Sequence, residues 1–267
     1  MNRTPVVFIH GAWLHARVWE PWAELFATRG FLAFAPGWPE DAAARQGGGD
    51  HAPAAGLGLD ELTDHYARFV RSLDVPPVLI GHSVGGLIAQ HLLGADVGRA
   101  AVAIAPAPVN GVPLPASRTG LWAPDGAERA DRLVPLSAER FHQVFANTAG
   151  AQESGRLFER YVVPAPRRLL ADLGCAGTPR SPRTAADVTN TRRGPLLLVS
   201  GQEDLLVPDV VTRTVYKQYG DSTAVTDLKQ FADRAHSLII DGGWPSVAGY
   251  VLGWLGERGL GTRPAQG

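Results

Sequence analysis

Short apolar runs rich in β-branched residues alternate with segments whose apolar side chains recur every third or fourth position. The first run, residues 6–10, is bounded by Pro5 and Gly11 and predicts a buried strand. Over 16–29, Val18, Trp22, Leu25 and Phe26 share one helical face, and Gly30 closes the helix. Residues 31–35 predict a second strand, stopped by Pro36-Gly37. Residues 39–57, rich in Gly, Ala and Pro, read as loop, either a mobile lid or a merely exposed segment. Leu59, Leu62, Tyr66, Phe69, Val70 and Leu73 then fit a helix. A strand at 77–81, a helix at 84–93 and a strand at 101–105 follow.

The alternation breaks at 106–190, where Pro and Gly are frequent and no strong strand pattern appears. Two helices are expected there, one over 137–147 with Ser137 as its cap, the other over 152–161. The alternation resumes with strands at 195–200 and 224–230 and helices at 208–219 and 244–258. A tail from Gly259 reads as frayed. Strands alternating with helices predict an α/β fold: a mostly parallel sheet of about six strands with helices on both faces. The expected core is 1–105 with 191–267, and 106–190 is an insertion over one edge or end of the sheet.

Composition narrows the classes. Apolar residues make up 45% and charged residues 19%, the balance of a globular chain and not of a disordered one. A formal net charge of −1 supplies no basic field for a phosphate backbone, so nucleic acid is not an expected partner. The one cysteine, Cys175, excludes an internal disulfide and a Cys-based zinc site, and reads as a thiol without a role. The apolar segment from Val6 to Ile9 is too short for a signal peptide, and no stretch approaches the ~18 apolar residues of a membrane helix. The expectation is a cytoplasmic protein with a small-molecule substrate, no membrane partner, no metal and no cofactor.

The chemistry concentrates at strand ends. Gly81-His82-Ser83-Val84-Gly85 stands where a strand meets a helix. A serine there is forced into strained backbone angles, and small neighbours leave room for the turn. The helix aims its first amides and its positive end at the same spot. The competing reading is an ordinary helix-capping serine. A serine hydroxyl is a weak nucleophile at neutral pH and needs a base held by an acid. On such a sheet the order is Ser, then Asp or Glu, then His. His236, just past the last strand, fits as base, with His142 in the inserted helices as the weaker alternative. Asp204, on the loop after the strand 195–200, fits as acid, with Glu203 and Asp209 as local competitors. The oxyanion donors expected are the amide of Val84 and that of Ala12, in the turn His10-Gly11-Ala12-Trp13. His10 reads as a brace for that turn.

Pocket candidates are fewer. Trp13 borders the expected oxyanion site and either lines the substrate pocket or packs. Phe141 and Phe145, one helical turn apart, either pack 106–190 onto the sheet or face substrate. Trp19, Trp22, Trp38 and Trp122 read mostly as packing residues. Arginines at 118–193 are interleaved with acids and read as a solvated surface.

Four motifs in this order, His10-Gly11-Ala12-Trp13, Gly81 to Gly86, the G-x-x-D-x-x-V-P of Gly201 to Pro208, and Ala235-His236-Ser237, make the chain resemble the α/β-hydrolase superfamily over nearly its whole length. It is most similar to small, cofactor-free hydrolases common in actinobacteria, several of them in natural-product pathways. The resemblance implies a sheet lacking the superfamily's first two strands, with 106–190 as the cap that shapes the substrate pocket. It also implies cleavage of a carboxylic ester, thioester or lactone of a small, mostly apolar molecule through an acyl-enzyme. Two alternatives stay open: non-hydrolytic chemistry with His236 as general base, or a ligand sensor on the same fold. Ser83 argues against the related dehalogenases, which use Asp at that turn, and the lack of Lys beside His236 disfavours the hydroxynitrile lyases.

Overall fold

The computed structural model describes residues 3–39, 53–115, 132–174 and 184–261. Cys175 and Trp122, and most of the loop expected at 39–57, lie outside the described residues.

Six strands form one parallel sheet: β1 (Pro5–Ile9), β2 (Leu32–Phe34), β3 (Val78–His82), β4 (Ala100–Ile104), β7 (Leu196–Gly201) and β8 (Thr226–Phe231). Their spatial order is β2-β1-β3-β4-β7-β8, every neighbouring pair parallel. The four central strands are buried throughout, whereas β8 at one edge is half-buried along its length. That is why the central strands read as unbroken apolar runs: helices cover both faces.

The helices are α1 (Glu20–Thr28), α2 (Leu59–Arg71), α3 (Val84–Gly94), α7 (Asp209–Gln218) and α8 (Trp244–Glu257). The single helix expected over 16–29 is split. A 3-10 turn, Ala16–Trp19, comes first, opened by the His15 ring accepting the Arg17 amide. Pro21 then starts α1 afresh, because it has no N–H to continue the preceding turn but fits a first helical turn. Trp22 and Phe26 bury against Phe8 of β1, and Trp19 stacks on the same ring at 5.0 Å.

Between β4 and β7 the described residues form a two-stranded antiparallel pair, β5 (Leu133–Val134) with β6 (Ala165–Pro166). Three helices accompany it: α4 (Ala138–Val144), α5 (Ala151–Tyr161) and α6 (Arg167–Gly174). Ser137 caps α4 by accepting the Arg140 amide. Two helices were expected in this segment; α6 is the third. Pro164 and Pro166 precede it, and a proline just ahead of a helix is no obstacle.

The segment is stitched to the sheet's loops. Asp172 of α6 accepts the Leu59 amide at the start of α2, serving as an N-cap supplied by another helix. Arg168 pairs with Glu61 at 2.7 Å. Val163 donates its amide to the Trp13 carbonyl, and the Trp13 indole donates to the Val134 carbonyl. No helix among the described residues is long and apolar enough to cross a membrane.

Candidate active site

Ser83 follows β3 directly and opens α3, with φ 55° and ψ −117°. A capping serine adopts extended angles and bonds the helix amides. Ser83 does neither: its side chain makes no capping bond. The strain is held by the backbone around it. The Ser83 amide donates to the Ile104 carbonyl, and the Ser83 carbonyl accepts from Gly86, Leu87 and Ala107. Glycine is required on both sides of the turn. A Cβ at Gly81 would stand 1.9 Å from the Gly85 carbonyl oxygen, and one at Gly85 would stand 2.1 Å from that of Ile9.

The turn after β1 runs against this elbow, since a Cβ at Gly11 would come 2.8 Å from the Ser83 Cβ. Ala12, the next residue, is buried there. Val84 is the first helical residue of α3, so its amide has no carbonyl four residues back to bond. His10 is buried, donates Nδ1–H to the Gly11 carbonyl and stacks on Trp38 at 4.6 Å. Burial pushes its pKa down to about 3, so the ring is neutral at ordinary pH. Beside it lies a cavity of about 230 Å³ whose walls include His10, Leu14, His15 and Trp38 but neither Ser83 nor His236.

His236 sits on the turn after β8, and Asp204 on the turn after β7. His236 Nδ1 and Asp204 Oδ2 are 2.6 Å apart, and neither side chain is exposed. The other carboxylate oxygen accepts the amides of Leu206 and Val207, both at 2.8 Å. A carboxylate only accepts, so the shared proton sits on Nδ1 and leaves Nε2 bare when the ring is neutral. Nε2 is buried and has no hydrogen-bond partner among the described residues. The competing acids are elsewhere. Glu203 is exposed. Asp209 bonds Ser200, Gln230 and Arg213. His142 lies on α4, its Nδ1 buried and without a partner among the described residues.

Three neighbours hold the His236 turn. The Ser237 amide donates to the Phe145 carbonyl, and the Trp22 indole donates to the Ile239 carbonyl. His82 Nε2 lies 2.9 Å from the His236 carbonyl. The Phe145 ring stands edge-on to His236 at 4.7 Å. Phe141 stacks on Phe145 at 4.9 Å and is itself fully buried against Phe158. Trp13 is 3% exposed and carries φ 61°, its indole turned to the β5 carbonyl described above. Asn147, just past α4, donates to the Glu203 carbonyl and so ties the acid's turn to the same helix end. His82 and Asn147 escaped the sequence reading. The only signal for His82 was a polar side chain in an otherwise apolar strand. Asn147 carried none, since asparagine after a helix is common. Among the described residues no group of three His, Cys, Asp or Glu side chains is placed to hold a metal ion.

A parallel sheet with a strained serine between its third strand and the next helix, and a buried Asp–His pair at two later strand ends, defines an α/β hydrolase. The chain belongs to the alpha/beta hydrolase family, whose model matches residues 6–243. No curated protein sequence matches it. Solved structures do. A methylesterase, MES16, from Arabidopsis is 18% identical, with 95% of this chain and 99% of that one covered at a TM-score of 0.68. A monoacylglycerol lipase from Paleococcus ferrophilus is 20% identical, 96% of each chain covered, TM-score 0.70. A pyrethroid hydrolase from Sphingobium faniae is 16% identical, with 95% and 97% covered, TM-score 0.65. At these identities the likeness is one of fold.

Proposed function

We propose that the protein is a serine hydrolase that cleaves a carboxylic ester, thioester or lactone of a small, mostly apolar molecule through an acyl-enzyme. The observation that carries this reading is the fully buried His236–Asp204 pair, 2.6 Å apart, whose ring stands 4.6 Å from that of His82, the residue before an elbow serine whose hydroxyl is not spent on capping. In this mechanism Ser83 Oγ attacks the substrate carbonyl and gives its proton to His236 Nε2. Asp204 holds the ring's tautomer and stabilises the imidazolium that forms. The amides of Val84 and Ala12 receive the negative charge on the carbonyl oxygen. His236 then passes the proton to the departing alkoxide, thiolate or ring oxygen, and the acyl-enzyme remains. Water repeats the sequence, His236 taking its proton, and releases the acid. Ester-cleaving enzymes of the same fold, a methylesterase, a lipase and a pyrethroid hydrolase, support the ester reading in general.

In the same proposal 106–190 is the cap, and Phe145 borders the reacting groups because its ring already touches His236. The test is turnover of short-chain p-nitrophenyl esters and simple lactones by the wild type, Ser83→Ala and His236→Ala. Each variant is expected to lose at least about 10³-fold in kcat. Full activity in Ser83→Ala with none in His236→Ala would contradict the acyl-enzyme and point to chemistry by the base alone.

A further inference from the structure

His82 stands one residue before Ser83, at the position the elbow motif leaves open. It is fully buried, and its Nε2 lies 2.9 Å from the backbone carbonyl oxygen of His236. A carbonyl only accepts, so the bond places the His82 proton on Nε2. Nδ1 is then bare, and it is buried without a hydrogen-bond partner among the described residues. It faces the oxyanion turn: a Cβ at Gly11 would come 3.3 Å from it. The His82 and His236 rings are 4.6 Å apart. Burial first, and the adjacent His236 second, hold His82 well below the usual histidine range. A second positive charge beside the imidazolium of His236 would oppose catalysis; a neutral His82 avoids it.

The need for such a bond follows from the sheet order. Ser83 hangs from β3 and His236 from β8, and β4 and β7 stand between them. The sheet's own hydrogen bonding links the two only through three successive strand pairings, and both residues lie on turns beyond the strand ends. Asp204 orients the imidazole but is itself on the β7 side. The His82–His236 bond is a direct tie between the nucleophile's neighbour and the base's own backbone.

We propose that His82 is a positioning residue that fixes the distance between Ser83 and His236 by donating Nε2–H to the His236 carbonyl. This rests on the reading of those two residues as nucleophile and base. Ordinary packing would make the ring's shape matter; positioning makes the donor at that reach matter. The experiment is the rate of labelling of Ser83 by a fluorophosphonate, with kcat and KM on a p-nitrophenyl ester, in the wild type, His82→Leu, His82→Gln and His82→Asn. A Gln side chain carries an N–H donor at about the reach of Nε2; Asn stops short.

His82→Leu is expected to lose about 10²-fold in labelling rate and in kcat, the scale of a misplaced catalytic pair, with KM little changed. His82→Gln recovers most of that loss and His82→Asn does not. Rates in His82→Leu within about threefold of wild type would overturn the inference. So would equal losses in the Gln and Asn variants, a comparison that stands even where the Leu variant fails to fold. A wild type that takes no label at Ser83 would instead overturn the hydrolase reading itself.

Discussion

Asp204 shows how a single carboxylate is committed in three directions, two backbone amides on one oxygen and the imidazole on the other. An amide cannot reproduce this, because Asn offers one accepting oxygen and turns an NH2 toward a donor on the other side. Asp204→Asn is expected to lower kcat about 10³–10⁴-fold with KM little changed, as measured by steady-state ester hydrolysis. A loss under about tenfold would assign the acid's role to another residue. In the sequence Asp204 was the preferred acid, with Glu203 and Asp209 as competitors close to it on the chain. The folded backbone removes the competitors, exposing Glu203 and pointing Asp209 at Ser200 and Gln230. The elbow was more legible, because its steric demand is for absent side chains. Gly85→Ala would drive a methyl into the Ile9 carbonyl and part α3 from β1. It is expected to leave little folded protein, read as loss of the cooperative thermal transition, and a wild-type melting curve would contradict the close approach.

At the scale of elements, the end of α4 holds both halves of the acid–base pair. Phe145 gives its carbonyl to the Ser237 amide and its ring to His236, and Asn147 reaches the Glu203 carbonyl. Phe145→Ala removes a side chain that is 1% exposed and is expected to cost about 3–5 kcal/mol in urea unfolding. Asn147→Ala, which leaves no cavity of that size, is expected to cost about 1 kcal/mol and to slow labelling of Ser83. Unchanged labelling in Asn147→Ala would show that the acid's turn holds itself. The helix was foreseen from Ser137 and its phenylalanine spacing, but its partners were not. They lie far along the chain, and a backbone carbonyl leaves no mark on sequence. The helix α6 was hidden for a different reason. Its leucines at 169, 170 and 173 follow a Pro-rich stretch that outweighs so short a pattern.

For the whole molecule, the six strands were legible within a residue or two, the four buried central ones because apolar runs of that length have few other homes in a sheet covered on both faces. The same burial encloses histidines. His10 and His82 have pKa values depressed by burial, so below about pH 6.5 the unfolded chain takes up protons that the folded chain refuses. Stability is complete above that pH and falls as pH drops toward the folded values, by up to about 1.4 kcal/mol per pH unit for each histidine. The urea midpoint is expected to drop between pH 7.5 and pH 5, and a flat midpoint would contradict two buried neutral rings. The central claim, that the fold arms one serine, has a more direct test. Intact mass after fluorophosphonate treatment should show a single adduct, mapped to Ser83 and absent from Ser83→Ala. A folded wild type that takes no adduct, or a Ser83→Ala protein that takes the same one, would contradict it.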